Sequence, residues 1–191
     1  MAFVGPHYAF AQEQDPGVLS DVGSYNADAR SARITNLKTQ YKINLSEKEK
    51  ALVSSRCEGA QSELRKISAR LITTKKDREA VYSNTVITLI RLKTLLETKQ
   101  IDTSNIDLLI VSYQQKKATF DVAVLAYELS LEDVTSIDCV KSPEDFRAGL
   151  EGVRGARKPI VDASAQIQDI TRSNLKTTFD TIRIKLQTVE G

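Results

Sequence analysis

Few residues in this chain have the types to do distinctive chemistry. There are two cysteines, Cys57 and Cys139, and one histidine, His7. His7 stands far from either cysteine in sequence, so the usual soft ligands assemble no metal cluster. With no second histidine, the body of the chain can build neither a Ser-His-Asp nor a Cys-His nucleophile. Its acidic residues form no pair with a spacing distinctive of glycosidase or metal chemistry. The expectation is a protein that is not an enzyme, with no catalytic, cofactor or metal site. Two other chemistries stay open. The cysteines suit one disulfide or two buried thiols. Lys75, Lys76 and Arg78, together with Arg154, Arg157 and Lys158, could form a basic belt that holds an anion, such as a phosphate-bearing envelope polymer.

These residues must be positioned by helices. Ile106, Ile110, Tyr113, Phe120, Val124, Tyr127, Leu131 and Val134 recur at spacings of four and three, with Lys117 the one interruption. That is one face of a long helix made to pack against other helices. Lys117 reads as a side chain that snorkels to water, or else as a polar residue that sets register. Tyr113 and Tyr127 read as core residues with their hydroxyls at the rim, and only remotely as a ligand box. The absence of Trp, the few Phe and Gly, and 27% charged residues agree with narrow helices and a large polar surface. Apolar residues make up 41%, yet none of their runs approaches the roughly 18 that a membrane span needs. A net charge of +2 sets up no field that demands nucleic acid or an anionic membrane.

Along the chain, residues 1–27 read as a disordered tail. Ala9-Phe10-Ala11 resembles the end of an export signal, although the basic start and full apolar run are missing. Residues 28–191 read as one helical domain with helices at about 28–43, 47–99, 104–134 and 143–188. Ser46-Glu47-Lys48-Glu49 is a capping box that opens the second of these. Its inward set is Leu52 or Val53, Cys57, Ala60, Leu64, Ile67 and Leu71, then Tyr82, Val86, Leu89, Leu92 and Leu96. The eleven-residue step from Leu71 to Tyr82 is a stutter, so this helix is expected to be continuous but irregular near 73–79. Residues 101–104 are the turn, with Asp102, Thr103 or Ser104 able to cap the next helix. Pro143 followed by Glu144 and Asp145 starts the last one. Its inward residues include Phe146, Val153, Ile160, Ile167, Leu175, Phe179 and Ile182, and Pro159 predicts a kink near 155–159, not a stop.

Level counting turns these helices into a fold. Reversal at 101–103 sets residue 134 beside about residue 69. Five further residues at about 3.3 Å each cover around 16 Å, equal to about eleven helical residues. Cys139 then falls level with about residue 58, next to Cys57, which favours the disulfide over two thiols. The last helix rises again beside the others over about 65 Å. The expected architecture is all-α: an elongated, coiled-coil-like antiparallel three-helix bundle, up-down-up, with a short N-terminal helix appended.

Leu45-Ser46 with Glu49, Arg56-Cys57 with Gln61, Asp102-Thr103-Ser104, and Asp138-Cys139 with Phe146 together resemble a group of uncharacterised secreted helical-bundle proteins of candidate-phyla-radiation bacteria, over about residues 45–150. The resemblance implies export and a paired Cys57 and Cys139, and carries no activity. The function expected is a non-enzymatic exported structural or protein-interaction module of the cell surface or envelope. Its partner would be a protein or envelope component, with no nucleic acid and no membrane span, and a residual apolar stripe could drive homo-oligomerisation. One alternative is a ligand-binding or sensory bundle for an anionic ligand, using the basic belt near the expected kink. The plainer reading of that belt is a solvated face neutralised by Asp77, Glu79, Glu128, Glu132 and Asp133. A second alternative is a cytoplasmic coiled-coil adaptor with two free thiols. Gly149, Gly152 and Gly155 read as a weak helix start tolerated in a packed bundle, with close approach of another backbone as the alternative.

Overall fold

The computed structural model describes residues 27–189, with side chains to residue 187. The tail expected over 1–27 lies outside the described residues except for Ala27. The fold is all-helical, and no strand occurs among the described residues. The elements are α1 (Ala27–Gln40), α2 (Glu47–Ser55), α3 (Cys57–Thr98), α4 (Ser104–Thr135), α5 (Pro143–Asp169), a π-helical turn (Ile170–Asn174) and α6 (Leu175–Val189). No described helix is long and apolar enough to cross a membrane.

Helix α4 lies at the centre and packs against both α3 and α5. Every member of its predicted face, from Ile106 to Val134, is buried. Burying each such side chain contributes about 1.5–3 kcal/mol, so this face organises the molecule. Lys117 is half-buried and donates to Asp121 at 2.7 Å, four residues on along the same helix.

Pairs across the α3–α4 boundary run in opposite directions. Lys93 meets Asp107 (2.6 Å), Tyr82 meets Phe120 (ring centroids 5.3 Å), and Lys75 meets Glu128 (3.1 Å). Cys57 meets Cys139 at the far end. Their sulfurs lie at disulfide distance with Cα atoms 5.7 Å apart, inside the usual range for a bridge. Beside them, Gln61 donates from Nε2 to the Ile137 carbonyl at 2.7 Å, which fixes the connector to α3. Within that connector, backbone amides of Lys141 and Val140 point at Asp138 and hold its carboxyl below its ordinary range.

The start signals operate as expected. The Ser46 hydroxyl accepts from the Glu49 amide, and Glu49 accepts from the Ser46 amide at 2.8 Å. Pro143 occupies the first turn of α5 with Glu144 and Asp145. The hairpin turn closes through Gln100, whose φ of 58° places it in the left-handed region. Ile101 N–H donates to Leu96 and Gln100 N–H to Glu97, each at 3.0 Å, satisfying carbonyls that the helix end leaves open. Buried Ile101 and Leu96 supply the apolar contact that accompanies this motif. Asp102 then accepts from the Ser104 amide (3.1 Å) and hydroxyl (2.8 Å), and pairs with Lys185 of α6 (3.1 Å).

Several expectations need correction. The chain stays helical through 73–79, and the irregularity lies at Arg56 between α2 and α3. There the Ser55 hydroxyl bonds the Leu52 carbonyl, competing with the backbone ladder one residue before the turn. Val53, not Leu52, faces inward, and Ile67 is 38% exposed because the inward course runs Leu64, Ser68, Leu71. The eleven-residue step is nonetheless visible in the burial, which passes from Leu71 to Tyr82 and resumes at seven-residue intervals at Leu89 and Leu96. Helix α5 passes through Pro159 without a stop. Its change of register comes at 170–174, where the π turn spaces buried Ile170 and Leu175 five residues apart. Beyond it Thr178 takes the inward position and Phe179 is left 44% exposed.

The glycine stripe turns out to be a seat. A Cβ on Gly149 would come within 2.9 Å of Val134 Cγ2, and one on Gly152 within 2.7 Å of Leu37 Cδ1. The weak-start reading is thus replaced by close approach, with α4 on one side and α1 on the other. Buried Asp133 of α4 completes the seat by accepting from Arg33 Nε and Nη2, both at 2.7 Å, in a fork that fixes α1.

Two outcomes follow from this packing. Gly59 of α3 has open space where a Cβ would stand, so Gly59→Ala should raise stability by about 0.5–1 kcal/mol through helix propensity. Gly149→Ala makes the same propensity gain but collides with Val134, including its Cα at 3.4 Å, and should lower stability by about 1–2 kcal/mol net. Urea midpoints of the two variants should move in opposite directions. Second, the Ser104 amide, the Ser104 hydroxyl and Lys185 together depress the Asp102 pKa to about 2. A carboxyl depressed on folding stabilises above its unfolded pKa, and that contribution fades as pH falls from about 4 through about 2. Asp102→Asn should therefore lose stability at neutral pH and narrow the gap between urea midpoints measured at about pH 5 and about pH 2.

Candidate functional site

The apolar residues of the core fall into two clusters. One gathers Cys57, Leu64, Tyr127, Leu131, Val134, Cys139, Phe146 and Val153, and the other runs from Tyr82 and Phe120 up to Leu96 and Ile182. Leu71 and Ile160 touch both. At this junction α3 carries Thr73 to Glu79, a stretch with no apolar residue, and so it offers no apolar side chain to fill the space there. A groove of about 720 Å³ opens there between α3 and α5.

The floor of the groove comes from the face of α4 and its neighbours: Tyr113, Phe120, Val124 and Tyr127, with Tyr82, Ile160 and Ile167. Tyr82 holds the aromatic group together by edge contacts to Phe120 (5.3 Å) and Tyr113 (6.2 Å). The hydroxyls of Tyr82, Tyr113 and Tyr127 have no hydrogen-bond partner among the described residues, although each residue is more than nine-tenths buried. None of the three oxygens is itself a buried, unpartnered atom: each opens into the groove, where water can bond to it.

Three of the six sequence-predicted cations reach this groove: Lys75, Arg78 and Arg157. Lys75 is held by Glu128 at 3.1 Å. Arg78 donates from Nη1 to the neutral Ser164 hydroxyl at 2.8 Å, a direct bridge between α3 and α5 at this level. No carboxylate lies within ion-pair distance of Arg78 or Arg157 among the described residues. The other three are not part of the groove lining. Arg154 turns to Glu151 (2.6 Å), Lys158 turns to Asp162 (2.6 Å), and Lys76 stands exposed on α3. The belt therefore divides into a cationic mouth and a solvated face. No Asp or Glu lines the groove.

Sequence reasoning missed Tyr82 and Ser164 as groove residues. The signal that could have found them is the apolar gap at 73–79 lying level with the hydroxyl-bearing residues of α5. Set against known families, curated proteins and solved structures, the chain matches no family model, no curated protein and no solved structure.

A hydroxyl without a partner adds nothing to folding. Tyr113→Phe should leave the thermal midpoint within the equivalent of about 0.5 kcal/mol of the parent. Tyr82→Ala should cost about 3–5 kcal/mol, because it removes a buried ring and both of its edge contacts. Thermal unfolding followed by circular dichroism measures both.

Proposed function

We propose that the chain is a non-enzymatic, exported structural or protein-interaction module of a cell surface or envelope, built as an elongated antiparallel three-helix bundle, up-down-up, with α1 appended. The observation that carries this reading is the Cys57–Cys139 pair, whose sulfurs lie at disulfide distance across 82 residues of sequence. Disulfides persist in oxidising compartments and are rare where thiols are kept reduced. The up-down-up topology is supported by the opposed pairing of α3 with α4 and by the Asp102–Lys185 pair, which sets the end of α6 at the hairpin tip. The resemblance to secreted bundles of candidate-phyla-radiation bacteria points the same way. A partner surface is supported by Leu108, Val111, Val122 and Leu125, an outward apolar stripe on α4. Such a stripe suits a protein or envelope partner, or a second copy of the chain.

A second reading, a ligand-binding bundle for an anionic ligand, is favoured by the cationic mouth and empty hydroxyls of the groove. Both readings share a body without catalytic apparatus. A cytoplasmic coiled-coil adaptor would instead carry two free thiols.

Thiol titration of denatured, unreduced protein recovered from its native host separates the exported readings from the cytoplasmic one. The expected count is no free thiol, and two would remove the exported reading. Reduction should lower stability by roughly 4–5 kcal/mol, the chain-entropy figure for a closed loop of this size. Urea midpoints with and without reductant measure that loss.

A further inference from the structure

We infer that the groove between α3 and α5 binds a free, single-chain anionic amphiphile of the long-chain fatty-acid class, its tail along the aromatic floor and its carboxylate at Arg78 and Arg157. This goes beyond the exported-module reading and does not depend on where the protein resides. Four observations converge on it.

The first is shape. The lining follows α3 from Leu71 to Thr85, a length of about 21 Å at 1.5 Å per residue. A thin flexible chain suits the space, which lies within the range of small-molecule sites. The second is polarity along the length. The Arg78–Ser164 bond sets α5 against α3 with an offset of 86 residues, which carries Arg157 to the level of Leu71. Lys75, Arg78 and Arg157 therefore occupy the half of the groove toward Leu71, while the half toward Thr85 is apolar or uncharged. Charge confined to one half of an apolar trough matches an amphiphile. A nucleic-acid strand would need cations spaced along the whole track.

The third is charge balance. No acidic residue lines the groove, and no described carboxylate neutralises Arg78 or Arg157, so an incoming carboxylate meets guanidinium groups without an acidic partner, Arg78 keeping donors beyond the Nη1 that bonds Ser164. The fourth is the set of Tyr82, Tyr113 and Tyr127 hydroxyls left without protein partners. They can hydrogen-bond to the carboxylate or to water carried in with it.

The test is titration of the full-length protein with cis-parinaric acid, a fluorescent long-chain fatty acid, kept below its micelle concentration. Saturable uptake of one molecule per chain is expected. Arg78→Gln combined with Arg157→Gln should weaken it at least tenfold with unchanged helicity and thermal midpoint, since both side chains are exposed. An uncharged alcohol of equal chain length should compete at least tenfold more weakly than the acid. Ala165→Trp, at an exposed position on the groove wall, should abolish uptake. If that variant fails to fold, the paired Gln variant decides alone. Absence of saturable uptake, or uptake indifferent to the Gln pair, overturns the proposal. So does binding to anionic vesicles without uptake of the monomeric acid, which assigns the cations to a membrane surface. Concentration-dependent self-association that Ala165→Trp prevents, again without uptake, assigns the groove to a second copy.

Discussion

The face of α4 that carries Tyr113, Phe120, Val124, Leu131 and Val134 must be kept from water, and no single neighbour is wide enough to cover it. Helix α3 takes one side and α5 takes the other. Most other features serve that cover. The Gln100 turn returns the chain at the right height, Cys57 and Cys139 hold the opposite end, and the glycine seat lets α1 lie close enough to shield Gly149 and Asp133. A helix with one continuous apolar face sets the levels at which its partners meet, because each inward side chain fits between two residues of the facing helix.

The covers are imperfect at one place, and the imperfection is specific. Helix α3 keeps a seven-residue interval on either side of an eleven-residue step, and within that step it offers threonines and charges where apolar side chains would otherwise stand. The rings of Tyr82, Tyr113 and Tyr127 are buried by their neighbours, but their hydroxyls are left facing unclaimed space. Tyrosine suits such a place, because each ring packs as core while its hydroxyl opens into the groove and reaches water.

Legibility in the sequence followed the range of the interactions involved. The face of α4, the capping box at Ser46 and the Pro143 start depend on residues a few positions apart, and all could be read directly. The Cys57–Cys139 proximity spans the whole hairpin, yet it was readable because helical rise is constant and counting along two helices needs no side-chain detail. What resisted reading was rotation. The π turn at 170–174 shifts which side of its helix faces inward and leaves Phe179 at the surface, while on α3 the inward course passes through Ser68 and leaves Ile67 outside. The fork from Arg33 to Asp133 joins residues 100 positions apart and leaves no periodic trace. Among the six cations, spacing could gather them at one height, but only side-chain direction separates Arg78 and Arg157 from Arg154 and Lys158.

The sulfur pair also sets how the chain would carry mechanical load. Tension applied between the two termini passes from Cys57 straight to Cys139 once the sulfurs are joined, bypassing the intervening hairpin. The 82-residue separation, about 280 Å of extended backbone, then cannot be paid out however hard the ends are drawn. The hairpin between the two sulfurs would then carry no load itself, while α1, α2 and the α5–α6 rod lie on the loaded path. An oxidised chain is thus a short, stiff tether, and a reduced one a long, compliant tether.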